Sequence, residues 1–156
     1  MTDAKKKKLS PRSVSRSLVV QGLYNFKINP KSVTEIEDFL YNNHPEFYAR
    51  ANYELLHSIL DAAIGDFDNW LSQYGRYSSR LLHEINIVEQ AILVSAAVEF
   101  SQNMSVPAPV VINEAIELAK LYGAEDSYKF VNGLVDRLAN EKRSDEMRIF
   151  KAKSIA

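Results

Sequence analysis

The stretch Asn86-Ile87-Val88-Glu89-Gln90-Ala91-Ile92-Leu93-Val94-Ser95-Ala96-Ala97-Val98-Glu99-Phe100 decides the fold. Val88, Ala91, Ile92, Val94, Ser95, Ala96, Val98 and Phe100 make it apolar on most sides of a helix. A helix of that kind sits centrally, packed by neighbours on several faces. Asn86 followed three residues later by Glu89 reads as a capping-box-like start.

Outward from this segment the chain keeps a helical rhythm. Towards the C-terminus, Val106-Pro107-Ala108-Pro109 reads as a rigid linker. Two helices follow near residues 111–122 and 126–141, separated by Gly123 as a stop beyond the last helical residue. Residues 144–156 show little periodicity apart from Met147 and Phe150 and are expected to form a frayed helical extension or tail. Towards the N-terminus, residues 78–84 are expected to be a short turn or helical turn. Residues 47–74 carry one long helical pattern, marked by Leu55, Leu56, Ile59, Leu60, Ala63, Phe67, Trp70 and Leu71. Gly65 within it costs about 1 kcal/mol and is a candidate for close packing; Gly75 is its expected stop. A short helix opens with the pair Ser32 and Glu35 and closes at Asn42-Asn43-His44-Pro45, because the residue before a proline avoids the helical region. Ser10-Pro11 starts the first helix, where Val14, Leu18, Gly22 and Phe26 recur every four residues to about Lys27. No stretch alternates with period two. The fold class is all-α, a compact helical bundle.

Composition narrows the function. With 46% hydrophobic and 25% charged residues over 156 positions, the chain suits one domain or two small sub-bundles. No run approaches the roughly 18 apolar residues of a bilayer span. The basic start lacks the apolar stretch of a secretory signal. The absence of cysteine excludes disulfides, thiolate zinc sites and a cysteine nucleophile. A cytoplasmic protein without membrane contact is expected. The net charge of -1 hides an asymmetry: residues 1–27 hold seven basic residues against Asp3 alone, a net charge of +6, and the remainder nets -7. A basic arm on an acidic body suits a polyanion at the arm and another partner at the body. A solubilising tail is the plainer reading of Lys5, Lys6, Lys7 and Lys8 alone.

Catalytic chemistry is hard to find. His44, His57 and His83 have no partners at ligand spacing, and Glu114 and Glu117 lack the Glu-x-x-His companions of a di-iron bundle. There is no glycine-rich phosphate loop and no nucleophile elbow. No metal, cofactor or enzymatic activity is expected. Nucleic acid fares better: Arg12 and Arg16, four apart, carry the basic arm onto one face of a rigid helix. Tyr24 lies about two turns beyond Arg16, and Phe130 follows Lys129. Each ring suits either stacking on an unpaired base or burial in the core.

The run Val106 to Leu138 resembles the signature segment of the NusB family. The specific matches are Ile112-Asn113-Glu114-Ala115 through Lys120, Gly123-Ala124-Glu125-Asp126-Ser127, and Lys129-Phe130-Val131-Asn132-Gly133. Val20-Gln21-Gly22-Leu23-Tyr24, Ser79-Arg80-Leu81-Leu82 and Val88-Glu89-Gln90-Ala91-Ile92-Leu93 also fit. The resemblance covers about Ser10 to Arg143. It implies two three-helix sub-bundles, a basic flexible arm at 1–9, an RNA-binding domain at 10–143 and a tail at 144–156. It also implies pairing with the small-subunit ribosomal protein NusE, binding of boxA RNA, and assembly with other Nus factors and RNA polymerase to support antitermination, notably in ribosomal RNA operons. Carried onto matching positions, Lys5–Lys8, Arg12 and Arg16 would hold phosphates. Tyr24 and Phe130 would approach RNA bases or the partner, Asp126 would lie at or beside the RNA surface, and Glu89 would help define the interface where partner and RNA meet.

Two departures stand out. The family's dense arginine cluster appears here as Pro11-Arg12-Ser13-Val14-Ser15-Arg16, with charge moved upstream into lysines, which attract phosphate but lack the planar fork of arginine. An arginine that relatives often place after the leucine matching Leu93 is Val94 here. The alternative reading is a NusB-like helical module that binds ribosomal RNA, as in front of the catalytic half of RNA cytosine methyltransferases, or acts as a protein adaptor without boxA specificity.

Overall fold

The computed structural model describes residues 8–155, and among these the secondary structure is helical, without strands. They divide into two compact units, the first reaching to Phe67 and the second starting at Asp68. Each unit is built on three packed helices, as expected.

In the first unit these are α1 (Pro11–Ile28), α2 (Val33–Asn43) and α4 (Tyr53–Gly65), with the short α3 (Pro45–Ala49) before α4. Local chemistry starts them where the sequence indicates. The Ser10 side chain accepts from the Ser13 N–H with Pro11 in the first turn, and Ser32 and Glu35 form a reciprocal capping box. Val14, Leu18, Val19 and Leu23 of α1 are fully buried, as are Ile36 and Leu40 of α2 and Leu56 and Leu60 of α4. Gly22 sets the spacing, because a Cβ there would stand 2.9 Å from Ile36 Cγ2 and 3.2 Å from Leu60 Cδ2.

The single helical pattern expected over 47–74 is broken in two places. Asn52 caps α4 by accepting from the Leu55 N–H, while its own N–H donates to the Pro11 carbonyl and its carbonyl accepts from Ser15 Oγ. Those bonds hold it out of the helix and tie the start of α4 to the start of α1. The second break is at Asp66 (φ -157°, ψ 50°), before α5 (Phe67–Ser72). Gly65 marks no close packing, since a Cβ there meets nothing within 4 Å.

The second unit is built on α6 (Ile87–Gln102), α7 (Ala108–Tyr122) and α8 (Ser127–Lys142). Every residue of α6 from Glu89 to Phe100 is buried, which is the central position its composition called for. Asn86 caps it through the Val88 N–H, but Glu89 does not complete a capping box; its carboxylate is used elsewhere. Gly123 ends α7 without the left-handed conformation expected of a helix-stop glycine (φ -84°). Its need for glycine is spatial: a Cβ would fall 2.6 Å from Ser127 Oγ and 2.7 Å from the Ala119 carbonyl oxygen. The left-handed residue is Asp126 (φ 68°), a type that tolerates it better than most.

Of the two forms expected for residues 144–155, helical extension and tail, the structure shows the helix. These residues form α9 (Ser144–Ile155), with Met147 1% exposed. The cause is Arg143, whose buried guanidinium donates to the carbonyls of Glu99, Phe100, Asn103 and Val106 and pairs with Glu146 at 2.8 Å. It thereby serves the Phe100 carbonyl in the last turn of α6, where helical donors run out, and adds a second donor to the Glu99 and Asn103 carbonyls, which also accept from the Asn103 and Val106 N–H groups. Glu146 in turn accepts from the Ala108 N–H at the start of α7. Among the described residues no helix is long and apolar enough to cross a membrane.

Candidate nucleic-acid interface

In the first unit the candidate residues lie along α1. Lys8 and Arg12 are exposed, and Tyr24 is 44% exposed, about 18 Å further along the helix axis. Lys5, Lys6 and Lys7 lie outside the described residues. The chain entering α1 is fixed, since Arg50 Nη2 donates to the Leu9 carbonyl at 3.2 Å. Arg16 departs from expectation. It is only 3% exposed and does not continue a solvent-facing basic strip with Arg12. A four-residue spacing fixes the side of a helix but not how much of the protein covers that side. Here all seven residues from Val14 to Val20 are buried.

In the second unit the fold gathers residues far apart in sequence. The Arg80 guanidinium lies over the Phe130 ring, 3.9 Å from its centroid. Arg80 Nη1 is 3.6 Å from Glu89 Oε1, and Glu89 Oε2 accepts from Ser127 Oγ at 3.0 Å. Glu89 is therefore a buried carboxylate beneath an arginine, not an exposed contact. Beside this group, Asp126 is exposed and pairs with Lys129 at 3.4 Å. Lys120 and Lys129 flank the Tyr128 ring at 5.2 and 6.0 Å.

The loop that carries Arg80 is tied down. Ser78 Oγ accepts from the Arg80 N–H and donates to its carbonyl, closing a tight turn. Gln90 donates to the Ile85 carbonyl, and the Tyr77 hydroxyl donates to Glu141. That last bond holds the Glu141 carboxyl below its ordinary range and the Tyr77 hydroxyl above its own. Sequence reading found Phe130, Asp126 and Glu89 but gave no role to Arg80, Tyr128, Lys120 or Lys129. The adjacency of Lys129 and Tyr128 was visible, but neighbours in a helix point to different sides and the spacing gave no signal that they meet. Nothing in the spacing pointed Arg80 at Phe130.

An exposed cation stacked on a ring, lysines around a tyrosine and a basic helix start suit phosphate attraction and base stacking. Among the described residues no three His, Asp or Glu side chains gather as metal ligands. Fold and surface together define an all-helical, two-unit protein with a cationic and aromatic surface of a kind suited to nucleic acid.

Known proteins sharpen that class. Residues 13–140 match the NusB family, and the chain belongs to it. It is 42% identical over 137 residues to the transcription antitermination protein NusB of Chromobacterium violaceum, covering 87% of this chain and 91% of that one. It is 39% identical to the protein of the same name from Alcanivorax borkumensis, over 88% and 90% of the two chains. The solved structure of T. maritima NusB superposes with a TM-score of 0.76 at 28% identity, over 89% of this chain and 98% of that one.

Proposed function

We propose that the chain is the RNA-binding half of an antitermination complex, pairing with the ribosomal protein NusE to bind boxA RNA. Family membership itself carries transcription antitermination and no enzymatic activity. In this reading further Nus factors and RNA polymerase join the pair in the cytoplasm, notably on ribosomal RNA operons. The observation that carries it is the match over residues 13–140, which begins one residue after Arg12 and contains Tyr24 and the Arg80–Phe130 group. Lys5–Lys8 and Arg12 attract phosphates, while Tyr24, Phe130 and Asp126 line the RNA or partner surface. Arg16, being buried, leaves phosphate contact to Arg12 and the lysines.

The test is an anisotropy titration of boxA-containing and scrambled RNA, with and without NusE. Binding of boxA is expected to be tighter with NusE present and tighter than binding of the scrambled sequence. Equal affinity for both RNAs would remove boxA specificity and leave a general RNA-binding module.

A further inference from the structure

Resting on that RNA-binding reading, we infer that Arg80 is the stacking plane for an unpaired RNA base, with Phe130 as its floor and Glu89 and Ser127 as its positioning residues. At 3.9 Å from the ring centroid the guanidinium is in close contact with Phe130, yet the Arg80 side chain remains 52% exposed. One side of the cation is covered by the ring while the side chain still meets solvent. Guanidinium planes stack on splayed-out bases as aromatic rings do, and they add positive charge next to phosphate. A base arriving on this side meets Arg80 first.

What distinguishes Arg80 from an ordinary surface arginine is that it is held before RNA arrives. The Glu89 side chain is 8% exposed, and a carboxylate so withdrawn from water requires a cation as well as a hydrogen bond. Ser127 supplies the hydrogen bond and Arg80 the charge. Swinging Arg80 away would leave Glu89 with a single hydroxyl. The chain of support continues into the backbone. Gly123 permits the approach of Ser127 to the end of α7, and Ser78 fixes the Arg80 main chain. Arginine normally loses much rotamer freedom on binding; here part of that loss is already incurred in the free protein. Glu89 thus acts on RNA through Arg80, not by touching it.

The test uses the full chain with NusE and boxA-containing RNA, comparing R80A, R80K, E89Q, S127A and S127T with the original protein. Lysine keeps the charge and loses the plane, so both R80A and R80K are expected to weaken binding roughly tenfold, in the range of one base stack. Only R80A should also flatten the salt dependence, by about 0.7 in the log–log slope. E89Q and S127A should weaken binding less, S127T should restore it, and E89Q added to R80A should cost nothing more. A 2-aminopurine at the stacked position should be quenched by the original protein and brighter with R80K. R80K binding like the original protein would overturn the stacking plane. A full E89Q loss in the R80A background would overturn the positioning role. Stacking tolerates sequence, so the same R80A and R80K comparison on scrambled RNA decides the inference even if boxA preference fails.

Discussion

At the residue scale, the second unit contains a tyrosine whose ionisation is coupled to folding. Tyr74 is fully buried, its hydroxyl donates to the Leu93 carbonyl of α6 at 2.6 Å, and burial raises its pKa well above the ordinary 10.0. A tyrosine with a raised folded pKa stabilises the protein fully below its ordinary value. That contribution is lost as pH climbs from about 10 towards the folded value, by up to about 1.4 kcal/mol for each pH unit. Tyr74→Phe deletes both the hydrogen bond and the ionisation. Urea unfolding should show the variant less stable by about 1 kcal/mol at pH 8, the usual net worth of such a bond. At pH 11 the gap should shrink or reverse. A gap that stays constant across that range would mean Tyr74 does not ionise on unfolding. Arg16 and Arg80 show the same dependence on surroundings. Both are arginines on or next to rigid elements, and tertiary covering alone makes one a buried side chain and the other an exposed plane.

At the element scale, the helix starts were legible because their causes are local: Ser10 with Pro11, and Ser32 with Glu35, complete their bonds within one turn. The central position of α6 was legible from its unbroken apolar run. The breaks at Asn52 and Asp66 were not, because the apolar pattern continues through them. What interrupts it at Asn52 is a pair of bonds to Pro11 and Ser15, far away in sequence. Glu89 was read as a cap for the same reason: its true partners, Ser127 and Arg80, come from other elements. The helix α9 was legible only as a frayed helical extension or tail, because weak periodicity is a poor signal when one buried side chain does the anchoring. That anchor yields a prediction. Arg143→Ala removes the guanidinium donor from the carbonyls of Glu99, Phe100, Asn103 and Val106 and leaves Glu146 without its charged partner. Thermal or urea unfolding should show a loss of about 3 kcal/mol or more, as expected when one side of a buried charged network is removed. Arg143→Lys should recover little of it, because one ammonium cannot serve four carbonyls. Limited proteolysis should cut first within α9. A loss below about 1 kcal/mol would show that α9 packs without this anchor.

At the scale of the whole molecule, the division of charge separates two kinds of binding. The first 27 residues carry a net charge of +6 and the rest -7, so a polyanion and a second, less anionic partner are drawn to different parts of one chain. In the described part of the basic segment Lys8 and Arg12 are exposed and Arg16 is buried, which leaves the run Lys5–Lys8 as the larger share of the segment's positive charge. Lysines of that kind contribute through counterion release, which is steep in salt and indifferent to base identity. Deleting residues 1–9 should therefore weaken RNA binding most at low salt and reduce the log–log salt slope by up to about 3, the share of four lysines on a single strand. The ratio of boxA to scrambled affinity should barely change, since that ratio belongs to the stacking and partner surfaces. NusE binding measured by calorimetry should stay close to that of the full chain. If the deletion instead lowers the boxA ratio while leaving the salt slope intact, the arm reads bases, and attraction and discrimination are not divided between arm and body.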